Sequence, residues 1–271
     1  MQITAILNAH GNIPVVQDTL ESILAWMTSD VLIVVDDHAW NEFESQDWPA
    51  ALLRGFYHNH PRSPYRNILY SLHAASQHWP MADWYVYLEY DCLVGSSLFV
   101  NDLKKADKDG VWLMGADMRR AQKEQFPLVN RLLGESFDEV MYLLGACLFY
   151  KGDFVRHGAK TGFWEKLLYY TNEFRNGFFP GFTGWDLCEH LMPTLANHWG
   201  GKVQQLSCYN TSMSQWFGDW QKYPVRWQPE ITLEEASRSA SIIHPLKSLD
   251  HPLRVVNRKK RHRAGKFTFS S

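Results

Sequence analysis

The first half of the chain alternates short apolar runs with segments in which apolar residues recur every three or four positions. Apolar runs over residues 3–10, 30–37 and 83–91 predict buried β-strands. Helical spacing over residues 15–27 and 64–80 predicts amphipathic helices between them, the second preceded by a shorter strand. Short apolar strands that alternate with amphipathic helices are typical of a mostly parallel sheet covered by helices on both faces. The pattern therefore predicts an α/β fold.

The second half of the chain is less regular. Apolar runs over residues 110–118 and 141–151 predict two more strands, and residues 161–174 have helical spacing. A stretch rich in glycine and aromatic residues then leads into a helix that is predicted to begin near Asp186. The sequence has no internal repeat and no low-complexity linker, so we predict a single domain over residues 1–253.

Polar side chains stand at the ends of three of the predicted strands. They are Asn8 and His10 after the first, Asp36 and Asp37 after the second, and Glu89 and Asp91 after the fourth. In open, mostly parallel sheets, ligands bind at the carboxyl ends of the strands. The sequence therefore predicts a binding site where these ends meet.

The pair of Glu89 and Asp91 gives this prediction its chemistry. Residues two apart on a strand point to the same side, so both carboxylates are predicted to face one way. Two such groups repel each other and are costly to bury, and a divalent cation removes both problems. Mg²⁺ and Mn²⁺ favour carboxylate oxygens together with substrate phosphates. The alternative is that the strand emerges into solvent and both carboxylates are solvent-exposed surface groups.

The order of these parts resembles the GT-A fold of nucleotide-sugar glycosyltransferases. The matching segments are LNAHGN at residues 7–12, VVDD at 34–37, YRN at 65–67 and YLEYDCLV at 87–94. In that family the first strand and its loop hold the nucleotide, and a DxD-type motif at the end of a later strand binds a metal. The present motif departs from strict DxD because its first acid is Glu89.

This resemblance implies a division of the domain and a set of site residues. A Rossmann-like half at residues 1–120 would bind the nucleotide sugar, and residues 121–253 would bind the acceptor. The implied cofactor is Mn²⁺ or Mg²⁺, held by Asp91 together with Glu89 and His244. The residues that the resemblance implies for substrate binding are Asn8, Ala9, His10, Asp36, Arg66, Asn67, Glu89, Tyr90, Trp185 and Lys247.

The segment SIIHPLK at residues 241–247 supplies two of these groups. GT-A enzymes commonly complete their metal site with a histidine or aspartate far downstream, and His244 follows a short apolar run. Lys247 would meet a diphosphate as a point charge. A structural histidine and a solvated lysine are the alternatives.

The segment GFTGWDLCEHLMP at residues 181–193 resembles the family's loop-to-helix junction, which carries the catalytic acid and often an aromatic residue such as Trp185. Asp186 and Glu189 share a helical face. Asp186, or failing it Glu189, would take a proton from the acceptor hydroxyl in an inverting mechanism. The D-x-x-E spacing equally suits an N-cap and its capping-box partner. A retaining mechanism also stays open.

Together these features predict a metal-dependent glycosyltransferase. It would move a sugar from a nucleotide-diphosphate donor, with UDP favoured, to a hydroxyl of a glycan or glycolipid, as in polysaccharide biosynthesis. A nucleotidyltransferase is one alternative, although the loop NAHGNIP offers a single glycine and no basic residue for phosphates. A non-catalytic carbohydrate-binding protein of the same fold is the other.

Composition indicates which partners and which cellular compartment suit the protein. The 271 residues are 45% apolar, which is enough for a sizeable core, and the net charge of −2 gives no electrostatic reason to bind nucleic acid. Four cysteines without a CxxC pair favour reduced thiols in a cytoplasm. No signal peptide is predicted, and the longest uncharged run, at residues 140–150, is too short to span a bilayer. We therefore expect a cytoplasmic protein.

The basic segment at residues 254–271 is predicted to be a separate C-terminal tail. A cluster of like charges is usually a solvated segment. If the acceptor is lipid-linked, the tail would instead contact anionic headgroups at the inner membrane face. Each basic residue near that surface would contribute about 1 kcal/mol.

Overall fold

A seven-stranded mixed sheet forms the centre of the protein. The structure is a computed structural model that describes residues 1–55, 66–121, 140–173, 186–206, 225, 230–236 and 241–266. The described strands are β1 Ile3–Ala9, β2 Val31–Val35, β3 Ala51–Arg54, β4 Trp84–Glu89, β5 Leu93–Val94, β6 Val111–Ala121, β7 Val140–Lys151, β8 Lys202–Gln205 and β9 Ile242–Ile243. The sheet order is β3-β2-β1-β4-β7-β6-β8, and β5 pairs separately with β9. Within the sheet, β7 runs antiparallel to both neighbours, and the other described neighbours pair in parallel.

Helices connect most of these strands. The described helices are α1 Ile13–Trp26, α2 Trp40–Glu44, α3 Arg66–His78, α4 Phe99–Asp109, α5 Gly152–Lys160, α6 Phe163–Glu173, α7 Met192–His198, α8 Leu233–Ala236 and α9 Pro252–Arg263. A π-helical segment, Asp186–Leu191, leads directly into α7. Among the described helices, none is both long enough and apolar enough to cross a bilayer.

The sheet separates two apolar cores, one on each face. Successive strand residues alternate between them, as Val86 and Tyr87 do on β4. Helices α1 and α4 pack on the Val86 side, and α3, α5, α6 and α7 pack on the Tyr87 side. Because both faces of the strands are buried, the sequence shows continuous apolar runs. The predicted α/β fold, a mostly parallel sheet with helices on both faces, is confirmed.

The short ladder of β5 and β9 joins segments that are far apart in the sequence. Leu93 pairs with Ile243 in antiparallel register, and both belong to a small apolar cluster with Leu246. The Leu246 N–H then donates to the Asp91 carbonyl at 2.8 Å. The ladder thus places His244, which follows β9 directly, beside the end of β4.

The start of the predicted basic tail is a packed helix in the structure. α9 packs against α1, and its Arg254 and Arg261 are fully buried, both bound to the buried Asp18 of α1. The prediction of a solvated charge cluster is wrong for these two arginines, because like charges in a sequence give no signal for which of them face inward. The predicted boundary between residues 253 and 254 therefore falls inside a helix, and residues 267–271 lie outside the described chain.

Candidate functional site

Strand register brings the polar ends of β1, β2 and β4 to one edge of the sheet. β1 lies between the other two, with Asn8 opposite Glu89 on β4 and Ala9 opposite Val35 on β2. His10 and Asp36 directly follow these paired residues. Because all three strands are parallel, their carboxyl ends meet as the sequence predicted.

Glu89 is held by three side chains at this edge. Its Oε1 accepts a hydrogen bond from the Tyr87 hydroxyl at 3.1 Å, and its Oε2 accepts one from Asn8 Nδ2 at 3.2 Å. His10 Nε2 lies 3.4 Å from the same Oε2. Tyr87 was not predicted as a site residue, although it lies two residues before Glu89 and therefore shares its side of the strand. Asn8 Oδ1 is buried without a hydrogen-bond partner among the described residues, so a ligand N–H would satisfy it.

Asp36 forms the other half of this arrangement. Its fully buried carboxylate accepts hydrogen bonds from His10 Nδ1 at 2.8 Å and from Asn67 Nδ2 at 2.6 Å. Gly55, just after β3, makes room for Asn67, because a β-carbon at residue 55 would lie 2.8 Å from Asn67 Oδ1. The connected side chains, hereafter the His10 cluster, are Asn8, His10, Asp36, Asn67, Tyr87 and Glu89.

The His10 cluster carries one imidazolium between two carboxylates. Burial lowers the pKa of His10, but the hydrogen bonds and charges of Asp36 and Glu89 outweigh it and raise the pKa from 6.5 to about 10. His10 is therefore positively charged at neutral pH. Its side chain is 30% exposed, and its ring contacts Tyr90 edge-on with ring centres 5.4 Å apart. The cluster thus presents a partly exposed cation at the edge of the sheet.

Asp91 lies outside that cluster, because β4 ends at Glu89. The Cys92 N–H donates to the Glu89 carbonyl at 3.0 Å and turns the chain there. The prediction that Glu89 and Asp91 face one way assumed a strand through residue 91, and strand alternation stops two residues earlier. The two carboxylates consequently bind different partners.

Asp91 instead pairs with His244. Asp91 Oδ1 and His244 Nε2 are 3.0 Å apart, and both side chains are almost completely buried, at 6% and 3% exposure. Burial raises the pKa of Asp91, but His244 and the positive charge of Lys247 outweigh burial and lower it. Asp91 is therefore ionised at neutral pH.

Lys247 lies exposed beside this pair. Its carbonyl accepts a hydrogen bond from Asn12 Nδ2 at 3.3 Å, and its N–H donates to the Glu230 carboxylate. Asn12 precedes α1, so the segment that carries His244 is attached to the loop that follows β1. The structure therefore places Lys247 near both Asp91 and the end of β1.

The Asp91–His244 pair fits a divalent cation. A carboxylate oxygen and an imidazole nitrogen are donors that Mn²⁺ accepts, and phosphate oxygens and water commonly fill its remaining positions. Within the described residues, no three His, Cys, Asp or Glu side chains are gathered as a complete metal site. The chain would thus supply two ligands, Asp91 and His244. Glu89, the predicted third ligand, contacts Tyr87, Asn8 and His10 within the His10 cluster.

The predicted catalytic residues lie on the π-helical segment, which packs against β7 on the Tyr87 side of the sheet. Glu189 is buried, and its Oε1 accepts the backbone N–H of Gly145 on β7 at 2.9 Å. Asp186 is the first residue of the segment, and its side chain lies outside the described part. Trp185 and the side chain of Arg66 also lie outside it. π-Helical turns recur at functional sites, which agrees with the predicted location.

A strained residue on β6 was not predicted from the sequence. Asp117 adopts a positive φ of 50° where the β6–β7 register shifts, and Arg119 donates to its carboxylate. Arg119 also lies over the Tyr142 ring, 5.7 Å from its centre. A bulge with a left-handed, non-glycine residue often marks a functional edge, and neither feature has a sequence signal.

Comparison by sequence gives no match to this chain, either among protein-family models or among curated proteins. Comparison by structure gives distant likenesses. One is the glycosyltransferase GlyE of Streptococcus pneumoniae TIGR4, with a TM-score of 0.37 and 14% identity over 78% of this chain. The likeness takes in 47% of GlyE, so the chain spans about half the length of that protein.

A second likeness is to a glycosyltransferase involved in the glycosylation of the major capsid of PBCV-1. Its TM-score is 0.45 and the identity is 10%, over 97% of this chain and 100% of the other. Both neighbours are glycosyltransferases, the class that the sequence resembles. Likenesses this distant assign no activity, so the function has to be argued from the residues of the site.

Proposed function

We propose that the protein is a metal-dependent glycosyltransferase that uses a nucleotide-diphosphate sugar, with UDP as the favoured carrier. The observation that carries the proposal is the buried pair of Asp91 and His244, 3.0 Å apart at the end of β4. Tyr90 connects this pair to the His10 cluster through its ring contact with His10. A cation-binding pair beside a polar cluster at the carboxyl edge of a parallel sheet suits a nucleotide diphosphate.

The nucleoside is proposed to lie against the His10 cluster. Asn8 and the backbone of Ala9 would bind the base or ribose, and Asp36 would fix His10 and Asn67 in place for the same ligand. Arg66, at the start of α3, would approach the base or diphosphate.

The diphosphate is proposed to lie between the Asp91–His244 pair and Lys247. A bound Mn²⁺ or Mg²⁺ would offset the negative charge that grows on the departing diphosphate. Asp91 and His244 would hold this cation, and the exposed Lys247 would add a second positive charge. Glu89 would support this arrangement through Asn8 and Tyr87, with direct metal contact as the alternative.

The catalytic base is proposed to be Asp186. Glu189 on the same segment is buried and anchored to Gly145, so its carboxylate is suited to fixing the segment against β7. Asp186 begins the segment and would accept the proton of the acceptor hydroxyl. Glu189 remains the second candidate, and either stereochemical outcome is compatible with this arrangement.

The acceptor is proposed to be a glycan or glycolipid hydroxyl, with Trp185 stacking on a sugar face. Lys259, His262 and Arg263 remain exposed on α9, so a membrane-bound acceptor at the cytoplasmic face would meet a basic surface. Sedimentation with anionic vesicles should then be weakened by Lys259→Ala with Arg263→Ala. Unchanged sedimentation of this double variant would remove the membrane contact from the proposal.

Calorimetric titration with UDP and with GDP, each with and without Mn²⁺, tests the proposed function. The wild type should bind one nucleotide tightly only when Mn²⁺ is present. Asp91→Ala should lose this Mn²⁺-dependent binding. Asp153→Ala, which removes a surface carboxylate that is 57% exposed, is the matched control and should behave as the wild type. Nucleotide binding that needs neither Mn²⁺ nor Asp91, or no binding of either nucleotide, would contradict the proposal and would instead favour a carbohydrate-binding protein.

A further inference from the structure

Arg254 has no role in the proposed function. Among the buried cations of the described chain it makes the most hydrogen bonds. Its side chain is fully buried and contacts three separate segments, on α1, after Asp91 and after His244. We propose that Arg254 is a positioning residue that holds Asp91 and His244 at their binding distance. This inference rests on the proposed function and adds a residue to its cation site.

The guanidinium group binds the backbone on both sides of the site. Arg254 Nη2 donates to the Cys92 carbonyl at 3.1 Å, and Cys92 is the residue after Asp91. Arg254 Nε and Nη2 donate to the Leu246 carbonyl at 3.0 and 2.9 Å, and Leu246 lies two residues after His244. A single rigid group thus fixes the distance between the two segments that carry the proposed ligands.

Thr19 on α1 extends this attachment to the residue before Asp91. Its hydroxyl lies 2.6 Å from the Tyr90 carbonyl and 2.8 Å from the Cys92 carbonyl, and it accepts hydrogen bonds from Arg254 at 3.1 Å. The backbone is therefore held immediately before and after Asp91. The Leu246 N–H completes the connection by donating to the Asp91 carbonyl at 2.8 Å.

Only arginine supplies these contacts together. A buried cation needs a counter-charge, and Asp18 Oδ2 provides it at 2.7 Å from Arg254 Nη1. The planar fork of five donors reaches the carboxylate and both carbonyls at once, whereas lysine has three donors on one nitrogen. Arg254→Lys would keep the charge near Asp18 and lose part of the connection between Cys92 and Leu246.

Arg261 gives a matched control on the same helix. It is equally buried and donates to Asp18 Oδ1 at 2.6 Å and to Glu21 at 2.8 Å. Its described hydrogen bonds reach neither the residues beside Asp91 nor those beside His244. Arg261→Lys therefore perturbs the same ion-pair group without touching the proposed connection.

The experiment compares Arg254→Lys with Arg261→Lys by amide hydrogen exchange and by titration of UDP in the presence of Mn²⁺. Both variants should lower the melting temperature. Arg254→Lys alone should speed exchange at the Leu246 amide, and weaken Mn²⁺-dependent UDP binding, each by about tenfold beyond the control, as expected for losing one or two hydrogen bonds.

Equal effects of the two variants on both readouts would overturn the inference. If the wild type shows no Mn²⁺-dependent nucleotide binding, the proposed function fails, while Leu246 exchange still decides whether Arg254 holds the two segments together. If Arg254→Lys does not fold, Thr19→Val replaces it, because valine keeps the shape and loses the hydroxyl. That variant should change both readouts in the same direction, and unchanged values would contradict the inference.

Discussion

The site contains two histidine–carboxylate groups that use similar side chains in different ways. In the His10 cluster, one imidazole lies between Asp36 and Glu89. The two carboxylates accept further hydrogen bonds from side-chain amides and from a phenol. In the second group, Asp91 pairs with His244 alone among the described side chains that hydrogen-bond its carboxylate. A cluster whose side chains hydrogen-bond to one another keeps a fixed shape, whereas the simpler pair is suited to receive a cation. Two acids only two residues apart thus have separate roles.

The largest expected effect separates these two acids. Asp91→Asn should weaken Mn²⁺-dependent UDP binding by about 100-fold or more, because even residues that only support a metal ligand cost about 10- to 100-fold when lost. Glu89→Gln should keep the metal dependence, because its partners are Asn8, Tyr87 and His10. Calorimetric titration of both variants measures the difference. An equal loss in both would make Glu89 a direct ligand and remove the distinction between the two groups.

The next largest effect concerns the stability that the His10 cluster provides. Asp36→Asn should lower the free energy of unfolding by about 2–3 kcal/mol, because it removes the counter-charge of a partly buried imidazolium. The neighbouring Asp37, which is 39% exposed and paired with Arg54, is the control. Asp37→Asn should cost about 0–1 kcal/mol.

Urea denaturation measures both values under the same conditions. Similar losses for the two aspartates would show that burial does not set Asp36 apart and would contradict its described role in holding His10 and Asn67.

A smaller effect tests the packing that positions Asn67. Gly55→Ala should cost about 1–3 kcal/mol, because the added β-carbon would lie 2.8 Å from an amide that Asp36 holds in place. In an Asn67→Ala background the same substitution should cost much less, since the obstructing side chain is gone. A double-mutant cycle by urea denaturation measures this coupling. Additive costs would show that Gly55 and Asn67 do not interact as described.

The His10 cluster also makes the stability of the protein depend on pH. Its pKa is raised on folding, from 6.5 to about 10, so the folded state binds the proton more tightly. The stabilisation is fully present below pH 6.5 and is lost as the pH rises towards 10. In thermal melts across this pH range, the melting temperature of His10→Gln should fall less than that of the wild type as the pH rises. Parallel curves for the two proteins would place the His10 pKa near its ordinary value.

Much of the fold could be predicted from the sequence because buried strands produce long apolar runs. The polar ends of those strands, Asn8, His10, Asp36 and Glu89, were also predictable, since parallel strands bring their ends together. The predicted shared direction of Glu89 and Asp91 relied on a strand through residue 91, whereas β4 ends at Glu89 and the two carboxylates bind different partners.

Other parts of the site could not be predicted because they depend on contacts between distant segments. The two-residue strands β5 and β9 are too short to show a period, yet they bring His244 to Asp91. Arg254 and the exposed Lys259 belong to one basic segment, and the packing of α9 against α1 buries only the arginine of the two. A charged residue in a helical sequence therefore predicts a solvent-exposed position only when it lies outside the face that packs against the rest of the protein.

Anomalous diffraction from crystals grown with Mn²⁺ and UDP tests directly whether Asp91 and His244 bind a metal ion together. We expect one manganese peak about 2.0–2.3 Å from an Asp91 carboxylate oxygen and from His244 Nε2, in contact with the diphosphate. UDP bound at the strand ends with the Asp91–His244 pair intact and manganese elsewhere or absent would contradict this expectation.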